Sequence, residues 1–352
     1  MKVLQLGPYP PPNGGIQTHI VALREMLRHR QIPCFVVNLT RTRRPTSDGV
    51  FYPSSGLQVL GLLLRRRYDI LHLHIGGRIW PRQLALGILC SMLPGRKSVL
   101  TFHSGGYPSS DEGLATTRHG LKAWVFRRFD RIIAVNAEIA AFFERLGVRR
   151  ERLRLISPHS TPSASGSSAE LPPAVELFFR DHHPLLITVG LLEEEYDLPL
   201  QIAAMERVRE KWPQAGLLIA GSGSLDEKLR KQIEETPYAE HILLYGDLPH
   251  AATLQAIKRA DLMLRTTWYD GDALSVREAL HLGTPVIATQ NGMRPEGVRL
   301  IPARDPDALV GAVQDELISP QASAPVASPG DRNLEEILSL YRELAGENKS
   351  ET

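Results

Sequence analysis

Short apolar runs rich in leucine and β-branched residues recur along the first 157 residues, separated by segments with helical spacing. Such runs are typical of buried parallel strands, because both faces of a parallel sheet are covered. The predicted strands are 3–6, 34–39, 69–75, 98–103, 131–135 and 153–157. The predicted helices between them are 19–30, 84–93, 116–129 and 136–147. The alternation predicts a doubly wound α/β domain over residues 1–157.

Small, polar and proline residues at 158–170 interrupt the pattern and predict a linker. The alternation then restarts, so residues 171–318 are predicted to form a second α/β domain. Its predicted strands are 184–190, 216–221, 241–246, 261–267 and 285–289, and its predicted helices are 198–212, 224–235, 250–260 and 275–283. Residues 319–352 are predicted to form another linker and a last helix at 333–344, which we expect to pack back toward the N-terminal domain. The expected architecture is two Rossmann-like domains facing a central cleft, where such sheets bind ligands.

Composition narrows the class of protein. Hydrophobic residues make up 43% of the chain and charged residues 23%, which excludes a disordered or fibrous protein. Cys34 and Cys90 are too few for a disulfide framework and indicate a reducing compartment. The apolar stretch near Met1 is cut short by prolines, and no apolar run reaches about 18 residues, so we expect neither a signal peptide nor a membrane span. These features predict a cytoplasmic protein.

Charge is distributed unevenly between the two predicted domains. Residues 1–157 hold 24 Lys and Arg against 9 Asp and Glu, whereas residues 158–352 hold 17 against 30. A basic half favours an anionic partner, either a membrane surface or a nucleic acid. The alternative is a solvated surface that happens to use arginine.

Two segments could bind a phosphorylated ligand. Gly14 and Gly15 precede the first long helix, where backbone amides favour an anion, although such a turn is more often an ordinary loop. The segment 270–289 places Asp270 before a helix and Glu278 on it. A carboxylate at this position would accept hydrogen bonds from a sugar or ribose diol. The alternative is that Asp270 and Asp272 cap the helix and Glu278 balances its dipole.

Segment 270–289 resembles the signature of retaining glycosyltransferases of family GT4, which have the GT-B fold. Several further segments agree with that family in order and spacing: 14–19, 69–74, 99–106, 129–148, 217–229 and 245–264. The resemblance implies that the C-terminal domain binds a nucleotide-sugar and that the N-terminal domain holds the acceptor. It implies no metal and no cofactor.

The resemblance assigns roles to individual residues. Glu278 is similar to the residue that binds the donor ribose, Asp270 stands where the family usually has a glutamate contacting the transferred sugar, and His103 resembles a histidine near the reacting carbon. The remaining donor-binding residues are those expected to hold the diphosphate or the base: Gly14, Gly15, Ala273, Leu274, Ser275, Gly221, Asp247 and Leu248.

One segment departs from the family pattern. The family usually has an arginine and a lysine after the first strand of the second domain, whereas 185–206 here contains neither. Because cleavage of a sugar–diphosphate bond develops negative charge on the leaving group, that charge must be met elsewhere. Arg265, Arg277 and Arg294 are the arginines considered for this role, each also interpretable as a surface or helix-end residue.

Other chemistries fit less well. Asp270 and Asp272 spell a DxD metal motif, but a hard cation would need more oxygen ligands. His72 and His74 alternate on a predicted strand without a suitably spaced third zinc ligand. The chain has no GxSxG motif of serine hydrolases and no nucleic-acid recognition motif.

Arginines combined with leucine or aromatic residues at 60–69, 122–130 and 144–154 favour contact with an anionic membrane. The resemblance to cell-envelope glycosyltransferases implies a lipid-linked acceptor at the inner face of the cytoplasmic membrane. The preferred hypothesis is a retaining, metal-independent transferase that moves a sugar from a nucleotide diphosphate to a glycan or lipid-linked acceptor in cell-envelope or extracellular polysaccharide synthesis. The alternative is a GT-B subunit that binds a glycan or nucleotide-sugar without turnover. A GT-B epimerase would need carboxylate bases that the sequence does not reveal.

Overall fold

The computed structural model describes residues 1–10, 14–40, 44–158, 170–269, 273–292, 294–319 and 330–347. The described residues divide into two compact units, one within 1–160 and 329–352 and the other within 161–328. Each unit contains one sheet whose neighbouring strands are parallel. The predicted α/β class is therefore confirmed.

The strands of the described ranges are, in chain order, β1 (Val3–Gly7), β2 (Cys34–Asn38), β3 (Val50–Phe51), β4 (Ile70–Ile75), β5 (Lys97–Phe102), β6 (Arg131–Ala134), β7 (Leu153–Leu155), β8 (Leu185–Val189), β9 (Gly216–Ala220), β10 (Ile242–Gly246), β11 (Leu262–Arg265), β12 (Val286–Thr289) and β13 (Arg299–Ile301). The helices are α1 (Gly15–His29), α2 (Gly56–Arg65), α3 (Pro81–Met92), α4 (Asp111–Leu114), α5 (Leu121–Phe126), α6 (Ala137–Arg145), α7 (Pro173–Asp181), α8 (Leu198–Lys211), α9 (Asp226–Glu234), α10 (His250–Arg259), α11 (Leu274–Leu282), α12 (Pro306–Ile318) and α13 (Gly330–Ala345).

The first sheet has the order β3-β2-β1-β4-β5-β6-β7. The chain moves outward from β1 in one direction and then returns to add β4 on the other side. The loops after β1 and β4 consequently diverge, which opens a crevice at the carboxyl ends of these two strands.

Two helical layers cover the first sheet. One face packs against α2, α3, α5 and α6 through residues such as Leu63, Cys90 and Phe126. The other face packs against α1 and α13, whose Leu23 and Tyr341 are buried with Val3 of β1. The C-terminal helix α13 is thus part of the core of the first unit.

The second sheet has the order β10-β9-β8-β11-β12-β13. Its reversal point lies between β8 and β11, in the same relation as β1 and β4 in the first sheet. One face is covered by α8 and α12, whereas α10 and α11 pack on the other face.

Some elements differ from the predictions. The helix predicted over 116–129 is shortened to α5, which begins only after Gly120 because that residue has extended backbone. The short helix α4 lies before the predicted range and was not expected. The predictions missed β3, β13, α2, α7 and α12. The predicted linker 158–170 lies mostly outside the described residues.

No helix among the described residues is long and apolar enough to cross a membrane.

Candidate functional site

The carboxyl end of β8 brings together two of the predicted donor-binding residues. Arg265, the last residue of β11, donates a hydrogen bond to Val189 O at 2.9 Å. The Ser275 hydroxyl, in the first turn of α11, donates to the same oxygen at 3.3 Å. The N-terminus of α11 therefore lies at the reversal point of the second sheet, where open α/β sheets bind ligands.

The Arg265 guanidinium is closely packed beside β8. It lies 4.5 Å from the centroid of the Tyr196 ring, a cation–π contact, and only 5% of the residue is exposed. A Cβ added to Gly190 would lie 2.8 Å from the Arg265 Nη1 atom and closer still to the Tyr196 ring. Glycine at 190 thus leaves the space that the guanidinium and the ring occupy.

The remaining predicted cations are placed differently. Arg294 donates to the carbonyl oxygens of Thr289 and Thr267, each at 3.0 Å, and so joins the loops after β12 and β11. Arg277 lies on α11 and is partly buried. Arg265 contacts the end of β8, which is the position where the sequence lacks the usual cations.

Glu278 is buried in the second turn of α11, with 3% of its surface exposed. Its Oε1 atom is 2.7 Å from Nε2 of His250, the first residue of α10. A buried carboxylate is costly unless polar partners compensate for the lost water, and His250 supplies one. The sequence analysis did not identify this histidine.

Backbone amides at the start of α11 are candidate hydrogen-bond donors for a ligand. The helix begins after Ala273, has no side-chain cap and has no acidic residue in its described first turn, which starts at Leu274. The first amides of a helix lack intrahelical acceptors and favour an anion. Asp270, predicted to contact the transferred sugar, lies outside the described residues.

The loops after β9 and β10 meet beside β8. The amide of Gly221 donates to Gly246 O at 2.8 Å, and the Ser222 hydroxyl donates to Asp247 Oδ2 at 3.0 Å. Gly221 has a φ of 144°, and a Cβ there would lie 1.8 Å from Gly190 O. Of the predicted residues in these loops, Gly221 and Asp247 are close together, whereas the Leu248 side chain is buried in the core.

The segment that replaces the usual cationic pair is acidic and tied to its surroundings. Glu193 accepts hydrogen bonds from the amide and hydroxyl of Ser224. Asp197, with a φ of 49°, accepts from Trp268 Nε1 at 3.2 Å. These contacts fix the loop after β8 against the loops after β9 and β11.

In the first unit, Gly14 and Gly15 begin α1, after the loop that follows β1. Gly14 has extended backbone, and a Cβ on Gly15 would meet no atom of the described residues within 4 Å. Neither position therefore requires glycine for a left-handed backbone. Packing does not require glycine at position 15 either. Gly14 has no side chain to cap this helix start, and the first amides of a helix lack intrahelical acceptors.

Four histidines cluster where β4 and β5 end. His74 Nδ1 is 3.3 Å from His103 Nε2, and the ring of His19 on α1 lies within 5.6 Å of both rings, centroid to centroid. Beneath them, His72 forms hydrogen bonds with the hydroxyls of Tyr341 on α13 and Thr101. The predicted residue His103 is thus the partly exposed end of a buried polar group.

Burial keeps these imidazoles neutral. Loss of water lowers the pKa of His19 to about 4, and it lowers the pKa of His72, His74 and His103 well below the ordinary value. Neighbouring imidazoles add to the effect for the last three, because two nearby positive charges repel. The cluster can donate or accept hydrogen bonds without carrying charge at neutral pH.

Comparison with known protein families shows which family the chain belongs to. Residues 13–159 match the sequence model described as Glycosyltransferase Family 4, and residues 175–322 match the one described as Glycosyl transferases group 1. The chain belongs to glycosyltransferase family 4. The predicted family is therefore confirmed.

Two curated relatives of this family 4 chain illustrate the range of similarity. Glycogen synthase from Mycobacterium tuberculosis is 28% identical over 231 residues, which is 63% of this chain and 53% of that protein. The chain thus spans about half the length of that relative. Phosphatidyl-myo-inositol mannosyltransferase from Mycolicibacterium smegmatis is 24% identical over 334 residues, covering 86% of this chain and 82% of that protein.

Similarity to solved structures identifies the fold of the chain. The Anabaena protein HepE, solved in complex with UDP-glucose, is 16% identical with a TM-score of 0.72 and 99% of each chain covered. Sucrose-phosphate synthase from Thermosynechococcus elongatus is 18% identical with a TM-score of 0.71, covering 99% of this chain and all of that one. The family 4 chain has the fold of GT-B glycosyltransferases.

Proposed function

We propose that this chain is a retaining, metal-independent glycosyltransferase that moves a sugar from a nucleotide diphosphate to a glycan or lipid-linked acceptor in cell-envelope or extracellular polysaccharide synthesis. The observation that carries the proposal is the placement of Glu278 on α11, whose uncapped N-terminus lies at the reversal point of the second sheet. This arrangement offers a carboxylate for a ribose and backbone amides for phosphates.

The donor is a nucleotide-sugar in this proposal. Glu278 accepts hydrogen bonds from the ribose hydroxyls, the first amides of α11 bind the diphosphate, and the loops that contain Gly221 and Asp247 contact the base. HepE, which shares the fold, was solved with UDP-glucose, and this supports the same class of donor here.

Retention requires no nucleophile from the protein in this account. The departing diphosphate accepts the proton of the acceptor hydroxyl on the face where the new bond forms, so the protein supplies positioning and electrostatics. Arg265 is the cation assigned to the diphosphate, because its guanidinium lies at the end of β8. Neutral His103 donates or accepts a hydrogen bond at the sugar, and Asp270 is assigned to the hydroxyls of the same sugar.

The acceptor is assigned to the first unit, whose outer helical layer suits an anionic membrane. Between residues 56 and 128 the chain holds eleven Lys and Arg against three Asp and Glu. Large apolar side chains are exposed on the same layer of α2, α3 and α5: Leu57, Leu64, Trp80, Met92, Leu121 and Trp124. Exposed apolar residues among arginines favour shallow binding to acidic lipids, at the inner face of the cytoplasmic membrane in this proposal.

Turnover tests the proposal. Purified protein is incubated with UDP-, GDP- and ADP-sugars and with glycan or lipid-linked acceptors, with and without EDTA, and release of the nucleoside diphosphate is measured. We expect release that depends on the acceptor, persists in EDTA and forms a product with the anomeric configuration of the donor. An inverted product would contradict retention, and loss of activity in EDTA would contradict metal independence.

A second function, a GT-B subunit without turnover, is favoured by one feature. The loop after β8 carries Glu193, Glu194 and Glu195 in place of cations, and its contact with Ser224 fixes it in that position. Negative charge there opposes binding of a diphosphate. Binding of a nucleotide-sugar without hydrolysis or transfer to any acceptor would support this second function.

A further inference from the structure

A hydrogen bond joins the neighbouring helices α10 and α11 at the end of the second unit that carries the candidate site. His250 Nε2 lies 2.7 Å from Glu278 Oε1, although the two residues are 28 positions apart. At the opposite end of the helix pair, the Thr284 hydroxyl donates to Ile257 O at 2.8 Å. The two helices are therefore held in register at both ends, and one of the two contacts engages the carboxylate assigned to the ribose.

The two partners differ in exposure. The Glu278 side chain is 4% exposed, whereas 39% of the His250 side chain is accessible. An imidazole N–H donor on Oε1 fixes the rotation of the carboxylate, because the group turns freely about its last bond without such a contact. This contact uses one lone pair of Oε1, and a carboxylate has further lone pairs with which it can accept hydrogen bonds.

The position of His250 links it to a second part of the site. It follows directly on the loop of Asp247, Leu248 and Pro249, and it begins α10. The position of His250 relative to this loop is fixed, because Leu248 is buried in the core and α10 begins two residues later. The same side chain thus lies between the loop assigned to the base and the carboxylate assigned to the ribose.

We propose that His250 is a positioning residue that orients Glu278 toward the ribose hydroxyls and thereby sets the preference of the site for ribonucleotides over 2′-deoxyribonucleotides. The inference rests on the proposed function. The 2′- and 3′-hydroxyls donate to the oriented carboxylate, so loss of the 2′-hydroxyl removes one charge-assisted hydrogen bond. Without His250, the carboxylate rotates and distinguishes the two sugars less well.

Nucleotide titration calorimetry tests the inference on the full chain. UDP, GDP and ADP are titrated first, and the tightest of the three is then compared with its 2′-deoxy form. The variants are His250→Ala, His250→Gln, Glu278→Ala and the double variant His250→Ala/Glu278→Ala. Glutamine is the conservative replacement, because its amide N–H lies near the position of Nε2. His29→Ala, at an exposed position on α1, is the matched control.

We expect the wild type to prefer the ribonucleotide by about tenfold, the value of one charge-assisted hydrogen bond. His250→Ala should reduce that preference to about twofold, His250→Gln should restore most of it, and the double variant should lose no more than Glu278→Ala alone. His29→Ala should bind like the wild type.

Two outcomes would overturn the inference. A His250→Ala variant that weakens both nucleotides equally, with a lower melting temperature, would make His250 only a link between helices. A full ribose preference in His250→Ala, lost in Glu278→Ala, would show that the carboxylate needs no orientation by His250. Failure of all three nucleotides to bind the wild type would instead contradict the proposed function itself.

Discussion

The guanidinium of Arg265 lies at the carboxyl end of β8 and provides a positive charge there. The loop that follows β8 contains no Lys or Arg itself. Its contacts with Val189 O and the Tyr196 ring fix it in one place. A fixed cation costs no reorganisation when charge develops on the leaving group, which is why it can stabilise the transition state.

Arg265→Met tests this role, because methionine fills a similar volume without the charge. We expect kcat to fall by about a hundredfold, as for loss of one transition-state donor. Arg259→Met is the matched control, since Arg259 lies on the same unit in an exposed ion pair with Glu176. A kcat for Arg265→Met equal to that of the control would exclude Arg265 from the reaction.

Sequence reasoning identified Glu278, Ser275 and Arg265, because motif spacing and a missing cation point to them. It did not identify His250 or Tyr196. Their proximity to the site results from the packing of α10 on α11 and from the loop after β8, neither of which leaves a local pattern. Asp270 stays a prediction outside the described residues.

The close approach of the loops after β8 and β9 depends on Gly221. Gly221→Ala should destabilise the second unit by at least about 2 kcal/mol, because alanine disfavours a φ of 144° and its Cβ would clash with Gly190 O. Gly311→Ala in the middle of α12, where a Cβ meets nothing within 4 Å, is the control and should be neutral or stabilising. Urea unfolding followed by circular dichroism measures both. Equal stability of the two variants would contradict the described geometry.

Long elements with a clear period were predictable, and short or irregular ones were not. The strands β4 and β5 match their predictions within one residue, because both are almost entirely buried and contain compact runs of leucine and β-branched residues. The edge strands β3 and β13 have two and three residues, too few for a pattern. Helix α2 is absent from the predictions, because its leucines and the arginines that follow also favour a membrane-binding segment, and a helix can present both features.

The histidine cluster predicts how stability of the whole molecule depends on pH. Burial holds the pKa of His19 near 4, against about 6.5 in the unfolded chain, so between these values the unfolded state binds more protons. Stability should therefore fall as pH drops below about 6.5, by up to about 1.4 kcal/mol per unit for each such imidazole. Urea unfolding at pH 7.5 and 5.5 measures the loss.

His74→Asn should make this pH dependence shallower, whereas the exposed His29→Asn should leave it unchanged. The same stability at both pH values in the wild type would contradict buried neutral imidazoles.

The proposed membrane binding also concerns the whole molecule. We expect the chain to sediment with phosphatidylglycerol vesicles, less so at high salt, and not with phosphatidylcholine vesicles, because each surface cation contributes about 1 kcal/mol near anionic lipid. The double variant Leu57→Ser/Leu64→Ser should reduce binding, whereas Leu177→Ser, an exposed leucine of the second unit, should not. Equal binding of all three proteins would contradict the proposed surface.

The most direct test of the account is calorimetric titration of the wild type and Glu278→Ala with UDP-, GDP- and ADP-sugars. We expect the wild type to bind at least one of these donors and Glu278→Ala to bind it about tenfold or more weakly, because a buried acceptor for the ribose is lost. Binding of that donor with the same affinity by both proteins would show that the activated sugar is not held at α11.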